Sequence, residues 1–323
     1  MPDIQKNIPL APLTTFKIGG PARYFTEVRN ETELLEALDF ALENKLEFFV
    51  LGGGSNILFS DKGFDGLVVR LQGSASSDQK SAIGNQEGIK LARGIIECWA
   101  GENLSSVVNF AKEKQLAGME WAIGIPGTIG GAVRGNAGAF GGEMANSVKS
   151  VRALEISGDR TNIIEYENGN CNFSYRNSLF KKNRNLIILS VKLTLEKGSA
   201  EDIENKMREI IKNRSEHQPK GFSSGSFFQN PIVDNPEVLE EFERETGKKA
   251  LGGVIPAGWL IEEAGFKGKK IGGVMVSEKH ANFFINNGTA TAENVIILAG
   301  IIKQKMREHY SVLLKEEVVF VGF

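Results

Sequence analysis

The chain has 323 residues, of which 41% are hydrophobic and 24% are charged, and its formal net charge is −2. A chain of this length usually builds more than one hydrophobic core, so we expect two or three domains. The near-neutral charge does not indicate a nucleic-acid-binding protein. Two distant cysteines, Cys98 and Cys171, indicate neither a disulfide framework nor a zinc site.

Targeting and metal signals are also not evident in the sequence. Residues 1–5 lead into no apolar segment typical of a secretory signal, and no apolar run approaches the ~20 residues that span a membrane. The three histidines are scattered without metal-ligand spacing. We therefore expect a soluble cytoplasmic protein with no metal, no nucleic-acid partner and no membrane span.

The first 71 residues have the pattern of a small α/β unit. Apolar segments predict three strands, at 22–28, 47–51 and 66–71. Residues 31–44 have helical spacing, with Leu34, Leu38 and Leu42 on one face. The polar segment 72–88 predicts a loop or a domain boundary.

The middle of the chain again mixes both element types. Strands are predicted at 89–100, 148–156 and 186–195. Helices are predicted at 104–114 and 199–215, on either side of a glycine-rich stretch at 118–142.

The last part begins near His217. Helices are predicted at 236–246, 259–264 and 292–310, and a strand at 315–323. In the longest helix, one face carries Val295, Leu298, Ile302 and Met306. Strands and helices alternate without a strict βαβ rhythm, so we expect an α+β fold in three parts.

A run of three glycines follows the predicted strand 47–51 and is followed by Ser55 and Asn56. Glycine allows backbone N–H groups to approach a phosphate, and Ser and Asn side chains add hydrogen bonds. A tight turn between strands explains the same run equally well. The candidate cofactor-binding residues here are Leu51, Gly52, Gly53, Gly54, Ser55 and Asn56.

A second glycine-rich stretch runs from Gly124 to Glu143. So many glycines are not expected inside a stable helix or strand, whereas the apolar residues between them predict an ordered, partly buried loop. Its N–H groups need acceptors, which a diphosphate supplies. A structural loop is the alternative. The candidate cofactor-binding residues here are Gly124, Pro126, Gly127, Thr128, Gly130, Gly131, Asn136, Ala137 and Gly138.

Two common nucleotide motifs do not fit these stretches. The G-x-G-x-x-G spacing that starts at Gly52 would need glycine at position 57, where Ile57 stands. A P-loop would need a Gly-Lys-Ser or Gly-Lys-Thr sequence, which does not occur.

Eight segments together resemble a known family. They occur in this order: TTFKIGGPA (14–22), LGGGSNIL (51–58), the stretch 124–143, YRNSLF (175–180), GSFFQNP (225–231), PAGWLIEEAG (256–265), GGVMVSEKHANFFIN (272–286) and LKEEVVFVG (314–322). Each is weak alone, but all eight in order resemble the UDP-N-acetylenolpyruvoylglucosamine reductase (MurB) family nearly end to end.

The resemblance implies a fold and a reaction. It implies an FAD-binding fold of the vanillyl-alcohol oxidase (PCMH) type in two subdomains, 1–71 and 72–215, and a substrate-binding α+β domain at 216–323. It also implies that NADPH reduces non-covalent FAD, and that UDP-N-acetylglucosamine-enolpyruvate is then reduced to UDP-N-acetylmuramate for peptidoglycan synthesis.

Site residues are implied by matching motifs. Ser226 matches the proton donor, Arg176 the cation at the substrate carboxylate, and Glu317 the second glutamate of the terminal motif. Hydride addition leaves enolate charge, which a fixed cation stabilises and a positioned hydroxyl can protonate. The implied substrate-binding residues are Tyr175, Asn230, Lys279 and His280.

Other interpretations remain open at this level. Ser226 is consistent with a turn cap, Arg176 with a surface ion pair and Glu317 with a strand-edge carboxylate. An FAD oxidase of the same fold would share the glycine-rich part but not GSFFQNP or the terminal Glu317. A non-enzymatic nucleotide-binding protein would keep 52–56 but would not need Ser226, Arg176 and Glu317 together. Gln229, where the family usually has a basic residue, would weaken a phosphate contact. The short interval from Arg176 to Ser226 resembles the family's compact subgroup.

Overall fold

The structure, a computed structural model, describes residues 2–73, 88–158 and 160–323. The strands in these residues are β1 (Gln5–Pro9), β2 (Pro21–Val28), β3 (Phe48–Leu51), β4 (Ile57–Phe59), β5 (Phe64–Leu71), β6 (Ile89–Ala92), β7 (Ile95–Trp99), β8 (Leu116–Ala117), β9 (Gly138–Ala139), β10 (Gly142–Glu143), β11 (Val148–Ser157), β12 (Arg160–Glu167), β13 (Leu186–Thr194), β14 (Glu196–Lys197), β15 (Lys270–Ile271), β16 (Val274–Val276), β17 (Phe284–Asn286) and β18 (Val319–Val321).

The same residues form α-helices of very different lengths. They are α1 (Glu31–Glu43), α2 (Leu104–Glu113), α3 (Ile129–Arg134), α4 (Met144–Ser147), α5 (Leu179–Lys182), α6 (Ala200–His217), α7 (Pro236–Thr246), α8 (Ala257–Glu263) and α9 (Ala292–Tyr310). Most of the predicted loop 72–88 lies outside the described residues. No helix in the described ranges is both long and apolar enough to cross a membrane.

The chain divides into two compact units, and both are discontinuous in sequence. The first unit contains Met1–Ile8, Ala22–Gly53 and Asp65–Glu216. The second unit contains Pro9–Pro21, Gly54–Phe64 and His217–Phe323. The predicted boundaries 1–71, 72–215 and 216–323 stay a prediction.

The first unit contains two main sheets. A four-stranded sheet has the order β1-β2-β5-β3, in which β3 and β5 are parallel. A five-stranded sheet has the order β12-β11-β13-β7-β6 with antiparallel neighbours. One apolar cluster, which extends from Val28 to Ile210, includes side chains of both sheets and of α1, α2, α3 and α6.

Helix α1 shows why the first unit folds locally as predicted. The Asn30 side chain accepts from the Glu33 N–H at 2.9 Å, and the Glu33 carboxylate accepts from the Arg29 N–H at 2.7 Å. Such reciprocal caps satisfy N–H groups that a helix leaves unpaired. The predicted apolar face was wrong in one position, because Leu42 is 37% exposed and Ala41 is buried instead.

The second unit is built around α9. A capping box of Thr291 and Asn294 begins the helix, and the carboxylate of Asp61 accepts from the Ala292 and Glu293 N–H groups. The predicted apolar face of Val295, Leu298, Ile302 and Met306 is confirmed as buried. Strands β15, β16 and β17 form an antiparallel sheet, and β18 pairs in parallel with β4.

The glycine-rich stretch contains a helix that the sequence did not predict. Helix α3 carries Gly130 and Gly131 inside it, so the expectation of no helix there was wrong. A Cβ on Gly130 would lie 2.8 Å from the Ala100 Cβ, so the close packing requires glycine. Thr128 caps the helix, and Ile129 and Val133 are fully buried, which offsets the low helix propensity of glycine.

Candidate active site

The two glycine-rich stretches meet in the first unit. Leu51 ends β3 and is fully buried. A Cβ on Gly52 would lie 2.6 Å from the Thr128 Oγ1, and a Cβ on Gly53 would lie 2.6 Å from the Gly127 Cα. Gly53 therefore lies directly against the Gly127 backbone and Gly52 against the Thr128 side chain, and any side chain at either glycine would push the two segments apart. This is the kind of close approach that a diphosphate cradle needs.

Backbone hydrogen bonds fix the second stretch in place. The Gly127 carbonyl accepts from the Leu104 N–H at 2.9 Å, and the Ile129 N–H donates to the Glu102 carbonyl at 2.8 Å. The Thr128 hydroxyl accepts from the Gly131 N–H at 3.2 Å. The prediction of an ordered, partly buried segment is confirmed, and its contact with FAD stays a prediction.

The rest of the first stretch belongs to the second unit. Gly54 has a φ of +63°, which favours glycine. Asn56 donates through Nδ2 to the Glu317 carbonyl at 3.1 Å, and its own carbonyl accepts from the Val319 N–H at 3.0 Å. Asn56 thus ties the start of β4 to the segment that carries the predicted catalytic Glu317.

Asn136 is fully buried with a φ of +42°. Its Nδ2 donates to Glu143 Oε2 at 3.1 Å and to the Ser174 carbonyl at 3.0 Å, and its Oδ1 accepts from the Ala145 N–H at 3.0 Å. The side chain links the glycine-rich stretch to the segment before Arg176. Its predicted contact with the cofactor stays a prediction.

Arg176 has a strained backbone and a fixed side chain. Its φ of +53° costs a non-glycine residue about 1 kcal/mol. Its Nη2 donates to the Gly138 carbonyl at 2.8 Å, and its Cζ lies 5.1 Å from the centre of the half-exposed Tyr175 ring. Lys181 Nζ donates to the Arg176 carbonyl at 2.9 Å. The structure therefore brings a predicted catalytic residue to the end of the predicted cofactor loop.

Asn282 organises the segment around Ser226. Its Nδ2 donates to the Phe228 carbonyl at 2.8 Å, and its Oδ1 accepts from the Phe228 N–H at 2.9 Å. Its own carbonyl accepts from the Phe227 N–H at 2.7 Å. Ser226 is half-buried and forms a bridge with Phe283. The sequence did not single out Asn282, which is 2% exposed and holds this segment through three hydrogen bonds.

The two adjacent glutamates have different surroundings. Glu316 Oε1 accepts from Lys303 Nζ at 2.7 Å, and Glu316 forms a bridge with Phe228. The Glu317 N–H donates to the Phe227 carbonyl at 2.8 Å, one residue from Ser226. The structure thus places Ser226 and Glu317 on adjoining segments of the second unit. The choice of Glu317 over Glu316 as the catalytic residue stays a prediction.

The predicted substrate-binding residues of the second unit lie on two loops. The Ser277 hydroxyl accepts from the N–H groups of Lys279 and His280, at 3.1 and 3.2 Å. Burial lowers the pKa of His280 below its usual 6.5, and its Nδ1 accepts from the Asn282 N–H at 3.3 Å. This bond leaves the proton of a neutral ring on Nε2.

Asn230 lies on the other loop. Its Oδ1 accepts from the Ala257 N–H at 3.0 Å, at the first residue of α8. The bond stabilises the start of that helix, since the first N–H groups of a helix lack partners within it. Its contact with substrate stays a prediction.

Comparison with known proteins decides the family. The C-terminal domain model of UDP-N-acetylenolpyruvoylglucosamine reductase matches residues 217–321, and an FAD-binding domain model matches residues 22–163. The reductase of Solibacter usitatus is 35% identical over 99% of this chain and 97% of its own. That of Caldanaerobacter subterraneus subsp. tengcongensis is 38% identical over 98% of this chain and 93% of its own. The chain belongs to the UDP-N-acetylenolpyruvoylglucosamine reductase family.

A solved structure of the family agrees over the full length. The Thermus caldophilus reductase matches with a TM-score of 0.73 and 29% identity, and the match covers 100% of this chain and 99% of that one. The predicted α+β class and FAD-binding fold of the vanillyl-alcohol oxidase type are therefore confirmed. As a member of this reductase family, the chain is an FAD-dependent oxidoreductase.

Proposed function

We propose that this chain reduces the double bond of UDP-N-acetylglucosamine-enolpyruvate to give UDP-N-acetylmuramate, with NADPH as electron donor and non-covalent FAD. The names of its relatives and the FAD-binding domain model support this reaction. The observation that carries it is the Ser226 segment, which Asn282 fixes beside Glu317 in the domain that matches the family's own C-terminal model.

The residues of the first unit fit an FAD diphosphate. Gly52 and Gly53 leave no room for a Cβ against Thr128 and Gly127, so the two glycine-rich segments pack closely enough for both to line a bound diphosphate. When bound, FAD supplies the hydride transfer between NADPH and the enolpyruvyl double bond. The protein is left to bind, orient and stabilise. Flavin that stays with the acid-precipitated chain would contradict non-covalent binding.

Three side chains perform the remaining chemistry. Hydride addition at one carbon leaves enolate charge on the other carbon and on the substrate carboxylate. The Arg176 guanidinium, held by Gly138, stabilises that charge as it develops. Glu317 is the second residue proposed to stabilise the enolate intermediate. The Ser226 hydroxyl then transfers its proton to the carbanionic carbon, and the alkoxide left on Ser226 takes up a proton from solvent.

Tyr175, Asn230, Lys279 and His280 complete the proposal as substrate-binding residues. The neutral state of His280 matters here, because a buried neutral imidazole can donate through Nε2 without adding charge.

The division into three domains and the cytoplasmic location belong to the same proposal. Cell fractionation tests the location.

The decisive experiment separates the two half-reactions. In Ser226→Ala, reduction of the flavin by NADPH should remain near the wild-type rate, because no proton is needed from Ser226 in that step. Reoxidation by the enolpyruvyl substrate should slow about 10²–10⁴-fold, the usual cost of losing a general acid. Stopped-flow absorbance of the flavin follows both steps.

A matched control lies three residues earlier. Ser223→Ala removes a hydroxyl from the same segment, where it accepts from the Gly225 N–H at a long 3.4 Å, and should leave both rates near wild type. If Ser226→Ala reoxidises within a few-fold of wild type, the proton comes from another group. If wild-type flavin is reoxidised by simple alcohols or oxygen but not by the enolpyruvyl compound, the proposed substrate is wrong.

A further inference from the structure

Arg214, near the end of α6, carries buried hydrogen-bond donors that no described residue satisfies. Its Nε and Nη2 atoms are both buried and have no partner within the described ranges. These two nitrogens share one edge of the guanidinium plane, so their N–H groups point the same way. Burial lowers the pKa of the guanidinium, and no described carboxylate offsets that effect.

A buried charge without a partner is one of the costliest features in a folded protein. An acceptor from outside the described residues would offset that cost. Two parallel donors on one edge match a phosphate or carboxylate, which accepts both at once. A bound anion with two oxygens available side by side fits this edge.

The surroundings of Arg214 show where that anion lies. Its Cζ is 5.1 Å from the centre of the Phe140 ring, at the tip of the β9–β10 hairpin. Phe140 has a φ of +51° and is 49% exposed, an unusual position for an aromatic residue. On the other side, a Cβ on Gly124 would lie 3.2 Å from the Arg214 Cδ. Both neighbours belong to the glycine-rich stretch 124–143.

We propose that Arg214 binds the diphosphate of FAD through its Nε–Nη2 edge, while the Phe140 ring holds the guanidinium plane in position. The inference rests on the proposed cofactor role of the stretch that begins at Gly124. FAD is favoured over other diphosphates because the same stretch contacts Gly53 through Gly127. The strain at Phe140 is then explained, since the ring faces a cation that the cofactor needs.

The test uses the full-length protein with its FAD removed. Arg214→Gln keeps much of the side-chain length but removes the charge. Arg214→Lys keeps the charge but removes the two parallel N–H donors of the guanidinium. Arg208→Gln is the matched control, because Arg208 is on the same helix, is 71% exposed and pairs with the exposed Glu204. FAD affinity is measured by quenching of flavin fluorescence, and the FAD-induced rise in Tm is measured in parallel.

We expect Arg214→Gln to weaken FAD binding at least about 10-fold, since hydrogen bonds to a charged group are worth that much or more. Arg214→Lys should fall between Gln and wild type, and Phe140→Leu should weaken binding a few-fold. The Tm of the FAD-free protein should stay the same or rise in Arg214→Gln, because an unpaired buried charge is removed. A purely structural role predicts the opposite, a lower Tm with unchanged FAD affinity.

Three results would overturn the inference. One is an FAD affinity of Arg214→Gln within about 2-fold of wild type. Another is an Arg214→Gln variant that binds FAD as the wild type does but binds NADPH or UDP more weakly. The Nε–Nη2 edge of Arg214 would then bind a different diphosphate. The third result applies if Arg214→Gln fails to fold. In that case, wild-type FAD affinity of Arg214→Lys would overturn the inference. Failure of the proposed function looks different, because FAD would bind normally to the wild type without reduction of the enolpyruvyl substrate.

Discussion

Replacement of Asn282 should expose how the Ser226 segment is held. The side chain is 2% exposed and bonds both the N–H and the carbonyl of Phe228, at 2.9 and 2.8 Å. Asn282→Ala leaves both groups buried without partners, and each costs about 1–3 kcal/mol. We therefore expect the free energy of unfolding to fall by roughly 2–5 kcal/mol. Guanidinium unfolding, followed by tryptophan fluorescence, measures the change.

A second substitution at Asn282 gives a sharper test. In Asn282→Asp, an ionised carboxylate can still accept from the Phe228 N–H but faces the Phe228 carbonyl with no proton to donate. Burial raises the pKa of such a carboxyl, and its protonated form restores the donor. The stability deficit of this variant should therefore shrink as the pH falls from 8 to 5.

The control for both variants is Asn287→Ala. Asn287 lies in the same stretch of sequence, and its Oδ1 accepts only from Thr289, at the surface. Its loss should change the free energy of unfolding by less than about 1 kcal/mol. An Asn282→Ala variant as stable as Asn287→Ala would refute the reasoning, because the Phe228 backbone would then not depend on the Asn282 amide.

Other substitutions test the contact between Gly53 and Gly127, the two terminal glutamates and His280. Gly53→Ala should weaken FAD binding about 10-fold or more, since its Cβ would lie 2.6 Å from Gly127. The control is Gly135→Ala, whose Cβ meets nothing closer than 3.6 Å. Equal FAD affinities of the two variants would contradict the proposed binding of the FAD diphosphate by the two glycine-rich segments. Glu317→Gln should slow flavin reoxidation far more than Glu316→Gln, and stopped-flow rates that fall equally would mean that the terminal motif is misaligned. Because burial lowers the pKa of His280, the neutral ring contributes stability above pH 6.5 that is lost as the pH falls through the lowered value. Denaturation of His280→Gln across pH 5–8 should show a flatter profile, and an unchanged profile would contradict this assignment.

Helices with strong local signals were predicted from sequence almost to the residue. Helix α9 begins after Thr291 and α7 after Asn235, and both caps bond to the backbone N–H groups of their own first turn. These signals are local, so they act on the chain in any fold. The predicted bounds 236–246 and 292–310 are confirmed.

Elements without a local signal were missed. Strand β4 is three residues long and, in the part of the chain that the structure describes, pairs only with β18, far along the chain. Strand β12 is an edge strand with mostly exposed residues, so it shows no apolar alternation. In the final segment, predicted as a strand at 315–323, only Val319–Val321 forms one. Pairing with distant residues decides such elements, and sequence periodicity does not record it.

The candidate site was predicted through family resemblance more than through residue chemistry. Ser226, Arg176 and Glu317 each lie in a motif, whereas Asn282 and Arg214 carry no signal that separates them from other polar residues. Their importance comes from burial, which depends on distant elements. Asn282 matters because its side chain hydrogen-bonds the Phe228 backbone, a contact across 54 positions of sequence.

The discontinuous second unit has a consequence for synthesis on the ribosome. The Asn56 side chain bonds the Glu317 carbonyl, 261 positions later, and β4 depends on β18 for pairing. At about 5–20 residues per second, the early segments wait about 13–50 s for their partners. During that interval apolar residues such as Phe16 and Leu58, which are fully buried in the finished unit, lack their core. Nascent chains should therefore depend on chaperones that shield the segments 9–21 and 54–64 until the last strand emerges.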